Sequence, residues 1–238
     1  MNDNFDFSGK KIIVAGVGGI GCAVVSMLKT LGARVICVDL KDTEYTYDFS
    51  DVGSVEQLVE SIVAKEGPID GLVYAVGIGS VRPLKMTKYD FMLKVMNINF
   101  FSFVEMVRVL SSKGNYGSNG LNVVGISAVG AFQGNSTKTA YCASKGAMNA
   151  AVRCMAKELA PKNIRINTVA PGVTDTPMMR AAEEYGVGSE AFKQISLRQY
   201  LGPCDPTDIA NAVVFLLSEL SRKITGSCLP VDGGKLTS

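Results

Sequence analysis

Short apolar runs and longer amphipathic runs alternate along nearly the whole chain. Lys11-Ile-Ile-Val-Ala15 is continuously apolar and of strand length. Arg34–Asp39, Gly71–Val76, Leu121–Ser127 and Ile164–Ala170 are further strand-length segments rich in apolar residues, and Cys228–Asp232 is a shorter last instance. Between them the spacing turns helical. The predicted helices are Cys22–Leu31, stopped by Gly32, then Ser54–Glu66, about Thr87–Leu110, Ala140–Ala160, ended by Pro161, and Asp205–Glu219. Ser54 and Gln57 have the spacing of a capping box, while Asp205 and Pro206 fit the cap and first position of the last helix. Residues 44–49 carry a weak further strand signal. Strands apolar on both faces, each followed by a helix, predict a parallel sheet covered on both sides. The expectation is therefore one α/β domain over 1–238, doubly wound, with about seven strands.

Pro177–Gly202 breaks this rhythm and holds two short helical patches. A less periodic segment of this length suits a substrate-side lid. Its Met178, Met179, Tyr185, Phe192, Ile195 and Leu197 point to an apolar or amphipathic ligand, or to the lid's own small core.

Composition narrows the function classes. The 238 residues are 47% hydrophobic with a net charge of +2, a globular balance. The charges are interspersed, so no basic block suggests nucleic acid. No apolar run reaches the roughly 18 residues of a membrane span, and Met1–Phe7 lacks a signal-peptide pattern. The six cysteines form no C-x-x-C pair and there is no histidine, so no metal set is predicted. Free thiols without a leader point to the cytoplasm.

Chemistry enters at two places. Gly16-Val-Gly18-Gly19-Ile20-Gly21 follows a strand and opens a helix, the context in which G-x-G-x-x-G cradles a dinucleotide pyrophosphate. Asp39 ends the next strand, 18 residues after Gly21, where a carboxylate binds ribose hydroxyls and repels a 2′-phosphate. NAD is accordingly favoured over NADP, although Lys41 could serve a phosphate. The second place is Tyr141-Cys-Ala-Ser-Lys145. On a helix, positions i and i+4 share a face. Without histidine, a tyrosine tuned by a nearby cation is the natural proton-transfer group.

Placed together, these pieces resemble the classical short-chain dehydrogenase/reductase family along nearly the whole chain. The matching segments run in the family's order. They are the glycine loop, Asp39, Asp48-Phe49-Ser50, Gly67-Pro-Ile-Asp70, Asn99, Tyr141-x-x-x-Lys145, Arg165-x-Asn167-x-Val169-x-Pro171-Gly172, Thr176, and Thr225-Gly226 with Val231-Asp232-Gly233-Gly234. The resemblance implies reversible hydride transfer between a nicotinamide cofactor and a small to medium carbonyl or secondary alcohol. It implies that Tyr141 gives or takes the proton at the substrate oxygen. Lys145 would lower its pKa and bind the nicotinamide ribose, and Asn99 would hold a relay water. Asp48 and Phe49 would approach the adenine, and Val76 and Gly77 would line the cofactor cleft. Pro171, Gly172, Val173 and Thr176 would bind the nicotinamide carboxamide. Asn99 also suits a helix-kinking polar residue, and Thr176 a helix cap. A homotetramer or homodimer is expected, with the small residues Ala143, Gly146, Ala147, Ala150 and Ala151 allowing close helix approach.

Three departures from the family pattern matter. The glycine loop is one residue short of Thr-Gly-x-x-x-Gly-x-Gly and lacks its hydroxyl. The family's Asn-Asn-Ala-Gly stands as Tyr74-Ala-Val-Gly77, so Tyr74 and Val76 must pack where asparagines brace the sheet. Thirdly, the position of the catalytic serine, 13 residues before the tyrosine, is Ala128. Ser127 is next to it but out of phase on a strand, so it reaches the site only if the strand end bulges or the backbone turns there. That loss leaves a second possibility, a nucleotide-binding homologue with weak or no catalysis.

Overall fold

The structure, a computed structural model, describes residues 5–79, 81–184 and 198–238. In it the apolar runs become the strands β1 (Lys11–Ala15), β2 (Arg34–Asp39), β3 (Tyr45–Thr46), β4 (Gly71–Tyr74), β5 (Leu121–Ile126), β6 (Ile164–Pro171) and β7 (Cys228–Val231). They pair in parallel throughout, in the order β3-β2-β1-β4-β5-β6-β7. The weak signal at 44–49 is real, as a two-residue edge strand. The helices are α1 (Gly19–Thr30), α2 (Val55–Glu66), α3 (Tyr89–Met96), α4 (Ser102–Leu110), α5 (Thr139–Leu159), α6 (Pro177–Glu184) and α7 (Pro206–Leu217).

Alternation along each strand feeds two cores. Ile13, Ile36, Leu72 and Tyr74 point to the face covered by α2, α4 and α5, with Phe103, Leu110 and Met148. Ile12, Val14, Val73 and Val124 point to the other face, against Val24 and Leu28 of α1 and Val213 and Leu217 of α7. Residues this apolar on both faces have no solvent side to offer, which is why the strands read as unbroken runs. The chain winds outward from β1 in both directions, so the C-terminal ends of β1 and β4 flank the crevice where doubly wound sheets bind ligands.

Two helix expectations change and one holds. The stretch 87–110 is two helices joined by a π turn, Asn97–Phe101. Ser54 makes no cap; its hydroxyl donates instead to Asp51 Oδ2 at 2.6 Å. Asp205 does cap α7: Thr207 N donates to its Oδ1 and its own N–H donates to Asp208 Oδ2, both at 2.8 Å. Most of the expected lid, residues 185–197 with Tyr185, Phe192, Ile195 and Leu197, lies outside the described residues.

Candidate active site

The crevice begins at the turn after β1. Gly16 has φ +85°, and a Cβ there would lie 2.6 Å from Val76 N. At Gly21 a Cβ would lie 1.8 Å from Gly16 O, so only glycine lets α1 start this close to the turn. Gly18 faces open space and precedes α1, while Ile20 is half-buried in the core beneath. Asp39, at the end of β2, accepts from Val17 N at 2.6 Å and from Leu40 N at 2.6 Å. The acidic residue is thus tied to the glycine turn it was matched with. Bare glycines backing a helix N-terminus beside a carboxylate fit the pyrophosphate and ribose of a dinucleotide.

Tyr141 and Lys145 lie on successive turns at the start of α5. Lys145 is 3% exposed, and its Nζ donates to Ile126 O at 2.7 Å and sits 5.9 Å from the centre of the Tyr141 ring. Burial pushes the Lys145 pKa down to about 8. Burial also pushes half-buried Tyr141 up, to about 12, with Cys142 adding to the rise. The expectation that the lysine lowers the tyrosine's pKa is therefore not met in the protein alone. Desolvation of the phenolate outweighs a cation that is held by a carbonyl and stands nearly 6 Å from the ring.

Asn99 is fully buried in the π turn. Its Oδ1 accepts from Ile78 N at 2.9 Å, and its Nδ2 donates to Ile78 O at 3.2 Å and Ser144 Oγ at 3.0 Å. Gly77 lies between the two polar groups: a Cβ there would be 3.4 Å from Lys145 Nζ and 3.5 Å from Asn99 Oδ1. Val76 packs half-buried against the core. Asn99, Gly77, Lys145 and Tyr141 are therefore brought together from three separate parts of the chain.

Ser127 does not join them. It is 2% exposed, and its Oγ donates to Lys145 O at 3.4 Å. The strand carries on extended through Ala128, at φ −166° and ψ 157°, without the bulge that would have turned Ser127 around. Its hydroxyl serves the backbone of α5.

On the far wall, β6 ends at the buried Pro171. Val173 N donates to Gln199 Oε1 at 2.9 Å, and Gln199 Nε2 donates to Val173 O at 3.1 Å and Gly202 O at 2.6 Å. A Cβ at Gly172 would lie 2.6 Å from Gln199 Oε1, so this glycine makes room for the clamp. Thr176 reaches across to the glycine turn, where a Cβ on Gly19 would lie 2.8 Å from its Cγ2. Its hydroxyl also accepts from Met179 N at 3.3 Å, so the helix-cap reading of Thr176 holds beside the ligand one. Met178, 49% exposed, meets Gly79 across the mouth.

At the adenine end, Asp48 accepts from Ser50 N at 2.9 Å, which holds its carboxyl below the usual range. The Phe49 ring, 4% exposed, is core: it stands edge-on to Tyr74 at 5.6 Å. Only its backbone is left to meet a ligand.

Residue-by-residue reading missed Gln199, Ser144 and the hydroxyl of Tyr74. Ser144 could have been found inside the Tyr-x-x-x-Lys spacing. Gln199 sits in the aperiodic segment, where no pattern marks it.

The chain is similar to known proteins over nearly their full length. A family model described as enoyl-(acyl carrier protein) reductase matches residues 14–235. A 3-oxoacyl-[acyl-carrier-protein] reductase from Thermotoga maritima is 32% identical, over 95% of this chain and 97% of its own. A 7alpha-hydroxysteroid dehydrogenase from Escherichia coli is 29% identical over 98% and 96%. A Beutenbergia cavernae protein solved with NADP at low occupancy superposes with a TM-score of 0.92 at 25% identity, covering 99% of this chain and 100% of its own.

Proposed function

The chain belongs to the short-chain dehydrogenase/reductase family, and from that premise we propose that it interconverts a secondary alcohol and a ketone on a small to medium, largely apolar substrate. The observation that carries the reading is the convergence of Tyr141, Lys145 and Asn99 beside Gly77, on the crevice that the glycine turn opens. A nicotinamide cofactor, when bound, supplies the hydride. The chain's own residues supply the rest. Gly16, Gly18, Gly19, Ile20 and Gly21 cradle the pyrophosphate, and Asp39 takes the adenosine ribose. Asp48 and the Phe49 backbone meet the adenine. Val76, Gly77 and Pro171 to Thr176 line the nicotinamide end.

A phenol that stays protonated at neutral pH is a donor, so in reduction Tyr141 gives its proton to the oxygen of the substrate. In oxidation it must first lose that proton, and the nearby Lys145 cation is the group that favours the resulting phenolate. We assign no substrate contact to Ser127. With Ala128 beside it, the oxyanion lacks one donor of the family pattern, and Thr139, a water or a hydroxyl of the substrate takes that place.

NAD is the preferred cofactor in this reading, on the strength of Asp39. A 2′-phosphate placed there would meet a carboxylate. The site is completed by a substrate-side lid over 177–202, within a single domain spanning the chain. A homotetramer or homodimer in the cytoplasm fits the exposed Tyr89, Leu93 and Phe101 and the free cysteines. Light scattering tests the assembly. A non-catalytic nucleotide-binding role is not favoured, since the named relatives are reductases and dehydrogenases.

NADH oxidation against a panel of ketones, with Tyr141→Phe as control, tests the function. The substitution is expected to lower turnover by about 10²–10⁴-fold. NADH binding without turnover on any ketone would overturn the reading in favour of the non-catalytic one.

A further inference from the structure

Tyr74 holds the last position of β4, with none of its surface exposed, its ring packed between Phe49 and Phe103. A buried phenol is costly unless its hydroxyl is paired. This one is paired across the sheet–helix boundary: it donates to Ile98 O at 2.7 Å and shares a short bond with Ser102 Oγ. Ser102 Oγ is itself 2.9 Å from Asn97 O and 3.0 Å from Ile98 O. Two hydroxyls therefore gather on the carbonyls of one helical turn.

That turn is the π turn. Ser102 N donates to Asn97 O, five residues back. Side chains inserted into the helical ladder and π turns are both recognised sites of helix kinking, and single π turns concentrate at functional sites. Asn99 lies within it. From Asn99 the bonds continue to Ser144 Oγ at 3.0 Å, and from Ser144 Oγ to Tyr141 O at 2.7 Å. An unbroken set of contacts runs from the end of β4 to the first turn of α5.

We propose that Tyr74 is a positioning residue for proton transfer: its hydroxyl holds the π turn that sets Asn99 and, through Ser144, the turn carrying Tyr141 and Lys145. The assignment rests on the reading of those residues as the proton-transfer centre. It also explains how this chain does without the asparagines of the family's Asn-Asn-Ala-Gly. The brace has moved from within the sheet to between the sheet and the helix.

Tyr74→Phe keeps the ring and removes the hydroxyl. The expected result is a fall in kcat of about tenfold with the KM for NADH within about twofold, because misplacement acts on the chemical step. In an Asn99→Ala background the same substitution should change kcat by less than about twofold, since nothing remains for Tyr74 to position. No loss of kcat, or the same loss in both backgrounds, overturns the proposal. If Tyr74→Phe does not fold, Ser102→Ala takes its place in the cycle. A readout independent of activity is amide hydrogen exchange of residues 97–102 in the protein without ligand. Exchange there should speed up by about tenfold, and unchanged exchange overturns the proposal even if no ketone is turned over and the functional reading has itself failed.

Discussion

The carbonyl oxygen of Ile126, at the end of β5, lies 2.7 Å from the ammonium of Lys145. This bond fixes a buried cation at the C-terminal edge of the sheet, beside Gly77 and below the Tyr141 ring. The carbonyl orients the charge without neutralising it, so its burial has consequences that vary with pH.

The first concerns stability. Lys145 titrates near 10.5 when solvated and at about 8 here. The folded state disfavours its charged form, so the cost is fully present below pH 8. Between about 8 and 10.5 the unfolded chain holds more of this proton than the folded one, and stability from this group rises with pH. The full cost is on the order of 3 kcal/mol. Lys145→Met should therefore melt higher than the parent at pH 7, with the gap narrowing by pH 10. Paired melting curves across that range check it, and a gap independent of pH would refute it.

Tyr141 gives the two reaction directions different pH profiles. With its pKa near 12 the phenol is protonated throughout the neutral range. Ketone reduction should be nearly flat from pH 6 to about 8, while alcohol oxidation climbs steadily with pH. Tyr141→Phe should lower both by about 10²–10⁴-fold without changing NADH affinity. Steady-state rates in both directions, with fluorescence titration of NADH, measure this.

Ala128 is buried in extended backbone at the place where the family pattern has a hydroxyl. Ala128→Ser should raise kcat on a simple ketone by about 10–100-fold with little change in KM, since an oxyanion donor acts in the transition state. Ser127→Ala should leave kcat within about twofold, because its hydroxyl faces the α5 backbone. The reverse outcome would mean that Ser127 supplies the donor after all.

Gln199 clamps the loop assigned to the nicotinamide. Gln199→Leu leaves Val173 N without its acceptor, while Val173 O keeps the bond from Cys204 N. An orphaned buried donor costs about 1–3 kcal/mol. The expected effect is a KM for NADH raised about tenfold, with a smaller change in kcat, read by initial rates at saturating ketone.

Asp39→Ser should weaken NADH binding by about tenfold and improve NADPH binding, because a charge opposed to the 2′-phosphate is removed. The substitution also loses an acceptor for Val17 N, so the glycine turn should loosen. Dissociation constants for both cofactors decide it. An unchanged preference would separate Asp39 from cofactor choice.

Much of this protein was legible in the chain. Runs such as Ile12–Ala15 and Gly71–Tyr74 have no polar side to offer, so the parallel sheet follows from local composition. The glycine turn is equally local: Gly16 must adopt a positive φ, and Gly21 must lack a side chain. Tyr141 and Lys145 share a face because helical spacing puts them there. Tertiary structure decided what depends on partners distant in sequence. Tyr141's pKa rises where spacing predicted a fall, because burial is a property of the whole packed domain. Ser127 is committed to Lys145 O because the backbone stays extended past β5 through Ala128. Likewise, Gln199 meets Val173, and Tyr74 meets the π turn, across 26 and 24 residues of chain. Residue type and spacing set what the chain could place together. Packing chose which polar groups were left facing the crevice.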